Sequence, residues 1–247
     1  LCFDFNQEYL FLEVLSEKKF MSLSGAQKQL LILLAFLAAA VVLWNTFLLY
    51  PVKLFVVMLH EMSHGLMAEL FGGDIIKIQI DYRIGGYCQY TVPDSFLARF
   101  MIASAGYLGS LFWGALILIL AVRTDKDRYI SLGIGIVLLL LSWFVIKTGE
   151  MFGIVMTVGF GLFMLASYKW LSDTFHDYFL KFVGMVSCIY VVIDIKSDLI
   201  DRTGIGSDAD SIAEMTGVPS MVVGIIWFFI ASLVIYYTLR YTFRNLR

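Results

Sequence analysis

Leu30–Leu49 reads LLILLAFLAAAVVLWNTFLL, and only Asn45 and Thr46 interrupt its apolar run. At about 1.5 Å per residue, a helix of this length covers about 30 Å, the hydrocarbon thickness of a bilayer. The rest of the chain repeats the pattern. After Pro51, which suits a first helical turn, an apolar helix runs through Met58 to Phe71 and stops at Gly72-Gly73. Further spans are expected at Leu97–Val122, Tyr129–Ile146, Met151–Tyr168, Tyr178–Leu199 and Val218–Arg240. The expected fold is therefore an all-α polytopic membrane protein of about six to seven transmembrane helices, an integral multi-pass chain.

Composition agrees. Of 247 residues, 60% are hydrophobic and 15% charged, against about 45–50% and about 25% in a soluble domain. A net charge of −2 gives no basic surface for a nucleic acid, so no nucleic-acid partner is expected. Three prolines exclude a Pro-rich linker protein. Cys2, Cys88 and Cys188 lack C-x-x-C spacing and read as three unpaired thiols. Seven spans would put the termini on opposite sides and divide the 18 Lys and Arg evenly, so the positive-inside rule gives no orientation.

One insertion breaks the helical pattern. In residues 74–92, Ile76, Ile78, Ile80 and Tyr82 alternate with Lys77, Gln79 and Asp81. Gly85-Gly86 then reads as a turn, and Cys88, Tyr90 and Val92 alternate with Tyr87, Gln89 and Thr91. Period two on both sides of a glycine pair is a β-hairpin signal. The division expected is a mixed, charged lead-in at 1–28 and a single transmembrane domain at 29–243, holding the hairpin and a polar connector at 201–217. In that connector Ser207-Asp208-Ala209-Asp210 fits a capping box opening a short helix that ends near Gly217.

The second span carries His60-Glu61-Met62-Ser63-His64, an H-E-x-x-H. Residues i and i+4 share a helix face, so both imidazoles can reach one metal ion. Glu61 stands beside them, where it can take a proton from water activated by the ion. Two histidines and a glutamate in hydrocarbon cost several kcal/mol unless they are paired or bind something. A bound metal ion is therefore expected, with His60 and His64 as ligands. A third ligand is needed to leave one open position. The candidates are Asp194, Asp198, Asp201, Asp208 and His176. Spans two and six run the same way in a seven-span arrangement, which puts His64 and Asp194 at comparable depth. Asp194 is preferred over Asp198, its i+4 neighbour. Asp198 and Asp201 also fit as charges ending a helix, Asp208 as part of the cap, and His176 as a solvated loop residue.

These residues resemble a known family. Leu59-His60-Glu61-Met62-Ser63-His64-Gly65, then Phe71-Gly72-Gly73 and Gly85-Gly86, are similar to the M50 intramembrane zinc metalloproteases, the site-2-protease-like group, and closest to its M50B-like branch. The third span Ala105-Gly106-Tyr107-Leu108-Gly109-Ser110, the segment Tyr190 to Arg202 with Asp194-Ile195, Ser207-Asp208-Ala209 and a last span bearing Trp227 extend the likeness over roughly residues 50–240. The resemblance implies a zinc enzyme hydrolysing peptide bonds of membrane-embedded or membrane-proximal proteins, with the bilayer and transmembrane substrates as partners. It implies His60 and His64 as ligands and Glu61 as general base. Site-2 proteases take their third ligand from a Leu-Asp-Gly motif that this sequence lacks, and Asp194 is the substitute.

A helical substrate hides its peptide bonds, because lipid satisfies no backbone polar group. It must unwind to be cut, and the edge of the hairpin could pair with the exposed strand. Gly85, Gly86, Tyr87 and Gln89 are the expected substrate-binding positions. Gly106, Ser110 and Gly114 form a small-xxx-small stripe, suited to packing span three against the catalytic pair. Two other readings compete: a catalytically silent membrane scaffold of the same fold, and a transporter with a midplane metal site. The sequence leaves the oligomeric state open.

Overall fold

The computed structural model describes residues 24–92, 94–197 and 206–244. Ser24 opens helix α1 (Gly25–Val42) through a capping box with Gln27. A single 3₁₀ turn, Phe47–Leu49, leads into α2 (Tyr50–Leu70), with Pro51 in its first turn. Strands β1 (Ile75–Asp81) and β2 (Gly85–Tyr90) pair antiparallel. Helices α3 (Phe96–Arg123), α4 (Asp127–Ile146), α5 (Met151–Trp170) and α6 (Asp173–Lys196) follow. A short α7 (Asp208–Thr216) and the final α8 (Ser220–Arg244) complete the fold. The protein is an integral multi-pass membrane protein. Asp198 and Asp201 and most of the 1–28 lead-in lie outside the described residues.

Six helices, α1, α3, α4, α5, α6 and α8, are long and apolar enough to cross a membrane. The motif helix α2 differs. Lys53, His60, Glu61, His64 and Glu69 dilute its apolar character, and 13 of its 21 residues are buried inside the bundle. Packing inside the bundle buries Lys53, Glu61 and His64 and half-buries His60, while Glu69 near the helix end is exposed.

Contacts fix the directions. His64 meets Ile102 and His60 meets Tyr107, so α2 runs antiparallel to α3. Gly114 lies against Ser187 and Gly184 against Leu118, so α6 is also antiparallel to α3. Spans two and six therefore run the same way, as expected. Trp227 packs on Tyr107 and Arg123 on Tyr241, so α8 runs with α3. The first helix breaks the alternation. Gln29 accepts a hydrogen bond from Lys181, eight residues into α6, and Leu33 packs with Leu118 and Val122 near the end of α3. The described chain thus begins and ends at the same end of the bundle. The chain termini lie outside the described residues; within those residues simple alternation fails because α1 and α2 leave from that same end.

The hairpin corrects the sequence reading in two places. Ile75, Ile78 and Ile80 are buried while Ile76 is exposed. The register slips between Ile75 and Lys77, and this bulge moves the inward phase by one residue. Gly85 and Gly86 are not the turn; they begin β2, opposite Asp81 and Ile80. The turn is Tyr82-Arg83-Ile84. Asp81 Oδ1 accepts from the backbone N–H groups of Arg83 (2.7 Å) and Gly85 (3.3 Å), an Asx-type turn. Ile84 takes φ 62°, a costly conformation for a β-branched residue.

His176 is fully buried, not solvated. Its Nε2–H donates to the Ser167 carbonyl (3.1 Å), which leaves Nδ1 to accept from the Ser131 hydroxyl (2.8 Å). One imidazole thereby ties α4, α5 and α6 together, far from His60 and His64. Replacing it by alanine leaves the buried Ser131 hydroxyl without its imidazole partner, while the Ser167 carbonyl keeps the Leu171 N–H. The His176→Ala variant is expected to lose about 1–3 kcal/mol of stability, read as a lower thermal midpoint in detergent, with unchanged metal content.

Candidate metal centre

The i and i+4 spacing on α2 puts His60 and His64 side by side, with ring centroids 4.9 Å apart. Each ring is oriented by α3. His64 Nδ1–H donates to the Ile102 carbonyl at 2.7 Å, which leaves Nε2 unprotonated and facing inward. The His60 ring meets Tyr107 edge to face, with centroids 5.0 Å apart. Tyr107 in turn packs on Trp227 of α8.

The third group comes from α7. Asp208 Oδ2 lies 3.2 Å from His60 Nε2, and Oδ1 lies 3.2 Å from His64 Nε2. Ligand atoms of the three residues all fall within 4.8 Å of one another. Asp208 is the first residue of its helix, and the helix start explains its aim. Ser207 is the N-cap, its hydroxyl accepting from Asp210 N–H, while the Asp210 carboxylate accepts from Ser207 N–H. The expected capping box is present, and Gly217 ends the helix in the left-handed conformation. The box uses Ser207 and Asp210, so Asp208 is free to project toward α2.

Cap and ligand were alternatives for Asp208 in the sequence; in space they are compatible. Asp194 lines the same cavity but stands outside the converging group. Depth along the bundle places Asp194 near the histidines, yet depth alone does not bring a carboxylate to their Nε2 atoms.

The donor set suits a divalent cation. Two neutral imidazoles and one carboxylate are a common zinc set. Asp208 Oδ2 is buried without a hydrogen-bond partner, and it borders the same point beside Gly106 as both Nε2 atoms. Gly106 makes the room. A Cβ there would collide with His60 Nε2, His64 Nε2 and Asp208 Oδ2, so only glycine lets α3 pass this close. The small-residue stripe therefore does more than pack helices. Gly106 faces the three donor atoms, and Gly114 faces α6.

Glu61 is buried next to His60, on the hairpin side. It accepts from the backbone amide of Cys88, and a Cβ on Gly86 would lie 2.9 Å from its Cγ. Burial, with the Glu61 charge beside it, pushes the Cys88 thiol up to about 12. It is a neutral thiol, and it stands outside the converging group of His60, His64 and Asp208. A cavity of about 450 Å³ opens over the site, bounded on one side by Gly85, Gly86 and Tyr87 of β2 and on another by Tyr190 and Asp194 of α6. Gln89 is exposed, opposite Lys77, and does not line the cavity.

This convergence predicts which substitutions empty the site. Asp208→Ala is expected to lower the divalent-metal content of protein purified in detergent, and Gly106→Leu likewise. Asp194→Ala should keep near-stoichiometric metal by elemental analysis. Loss in Asp194→Ala with retention in Asp208→Ala would reverse the assignment.

A family model described as Peptidase M50B-like matches residues 33–238 of the chain. No curated protein and no solved structure matches it.

Proposed function

The chain belongs to the Peptidase M50B-like family, and from that premise we propose that it is a zinc metallopeptidase cutting peptide bonds of membrane-embedded or membrane-proximal proteins. The observation that carries this reading is the convergence of His60, His64 and Asp208 beside a buried Glu61, under a cavity edged by a β-strand. His60, His64 and Asp208 would hold the ion. Zinc, when bound, supplies Lewis-acid polarisation of the scissile carbonyl and makes water a stronger acid.

The chain's own groups supply the rest. Glu61 is the general base: it takes a proton from the attacking water and returns it to the leaving amide nitrogen. Its hydrogen bond from the Cys88 amide holds the carboxylate in one orientation. His64 is kept in the right tautomer by the Ile102 carbonyl. Among the described residues, the outer edge of β2 has no strand partner in this two-stranded sheet. An unwound substrate segment added along it would run past Gly85, Gly86 and Tyr87 over the cavity. Gly86 has no side chain to come between that segment and Glu61.

Two measurements test this. In liposomes carrying a membrane-spanning reporter, Glu61→Gln should cut turnover by about 10²–10⁴-fold while zinc content stays at the wild-type level. Cleavage at the wild-type rate would remove the protease reading and favour a binding scaffold. Proline at Tyr87 should abolish cleavage with zinc retained, and unchanged turnover there would exclude β2 as the substrate edge.

A further inference from the structure

A second cavity lies away from the metal centre, where α3 and α8 finish together. It is a groove of about 580 Å³. Ile119 of α3 with Leu233 and Val234 of α8 form its apolar length, and Tyr237, Arg240, Tyr241 and Arg244 gather about it toward the end of α8. Arg123, in the last turn of α3, stacks over Tyr241 at 5.3 Å, and Arg240 over Tyr236 at 6.0 Å. Neither Arg240 nor Arg244 has a carboxylate partner among the described residues. Leu233, Tyr236, Tyr237 and Tyr241 are exposed on a helix long and apolar enough to cross the membrane.

We propose that this groove binds one anionic phospholipid, with an acyl chain along Ile119, Leu233 and Val234 and the phosphate at Arg240 and Arg244. Charge complementarity and position select this occupant. Guanidinium groups form paired, charge-assisted hydrogen bonds to phosphate. Basic pockets between spans at the end of a bundle are where anionic headgroups are held. The tyrosines suit headgroup depth, with an apolar ring and a polar tip. A free phosphate would use only the guanidinium end and leave the apolar length unfilled. The site does not depend on the proteolytic reading, because it shares no residue with the metal centre.

Native mass spectrometry of the full chain in detergent tests it, with phosphatidylglycerol and phosphatidylcholine of identical acyl chains as probes. The wild type should retain one phosphatidylglycerol in preference to phosphatidylcholine. With about 1 kcal/mol per arginine near the headgroup, Arg240→Gln with Arg244→Gln should weaken that binding by about 30-fold. Lys169→Gln, at the same end but outside the groove, should leave it unchanged. Ile119→Trp keeps every charge and fills the apolar length, and it should also weaken binding; it keeps the test decisive if the double variant fails to fold. Equal retention of the two lipids, or no loss in either the double variant or Ile119→Trp, would overturn the proposal. So would a thermal shift with inorganic phosphate as large as that with phosphatidylglycerol, which would mark a plain anion site.

Discussion

Burying two imidazoles and two carboxylates inside an apolar helical bundle is the constraint on which this architecture turns. Each unpaired ionised group would cost several kcal/mol, and His64, Glu61 and the Asp208 oxygen facing His60 are all withdrawn from solvent. The structure meets the cost by bringing the groups to one place. Asp208 reaches both Nε2 atoms, the Ile102 carbonyl takes the remaining His64 proton, and the Cys88 amide serves Glu61. What is left is one carboxylate oxygen without a hydrogen bond, beside the point that both Nε2 atoms border. A cation there would complete the set.

Four separate segments supply these contacts, and each is held by local chemistry of its own. The two histidines come from helical periodicity. The α3 backbone can pass beside them only because residue 106 has no side chain. The carboxylate is delivered by a helix start whose capping needs are met by its neighbours Ser207 and Asp210. The β2 strand reaches Glu61 because Gly86 permits contact and the Asx turn at Asp81 sets the register. The Tyr107–Trp227 pair links this assembly to α8, so the last helix, though it lends no ligand, buttresses the ring packed on His60.

Much of this was legible in the sequence. Apolar runs of membrane length marked the spans, period-two alternation marked the hairpin, and i and i+4 histidines flanking a glutamate marked the centre. Failures came where a local rule was asked a three-dimensional question. Gly85-Gly86 looks like a turn because glycines usually make one; the actual turn is built by an aspartate side chain and an isoleucine at positive φ. A bulge leaves no mark on alternation, so the pattern groups Ile76 with Ile78 and Ile80, whereas Ile75 is the residue buried with them. Asp208 was weighed against its role in a cap, although the box engages only its neighbours. His176 looked like a loop residue because its partners, Ser131 and Ser167, are distant in sequence and unremarkable in type.

The failure of simple alternation at α1 and α2 bears on how a substrate could enter. The polar face of α2 needs shielding from lipid, and neighbouring elements supply it by burying 13 of its 21 residues. Its C-terminal half, the start of α3, the end of α6 and α7 gather at the end of the bundle opposite the described termini. The hairpin lies beside them, with Ile75, Ile78 and Ile80 turned inward and the outer edge of β2 unpaired. Backbone polar groups that find no partner in lipid would find one along that edge. An unwinding helix would therefore regain there part of the hydrogen bonding it loses, beside Glu61 and the two histidines.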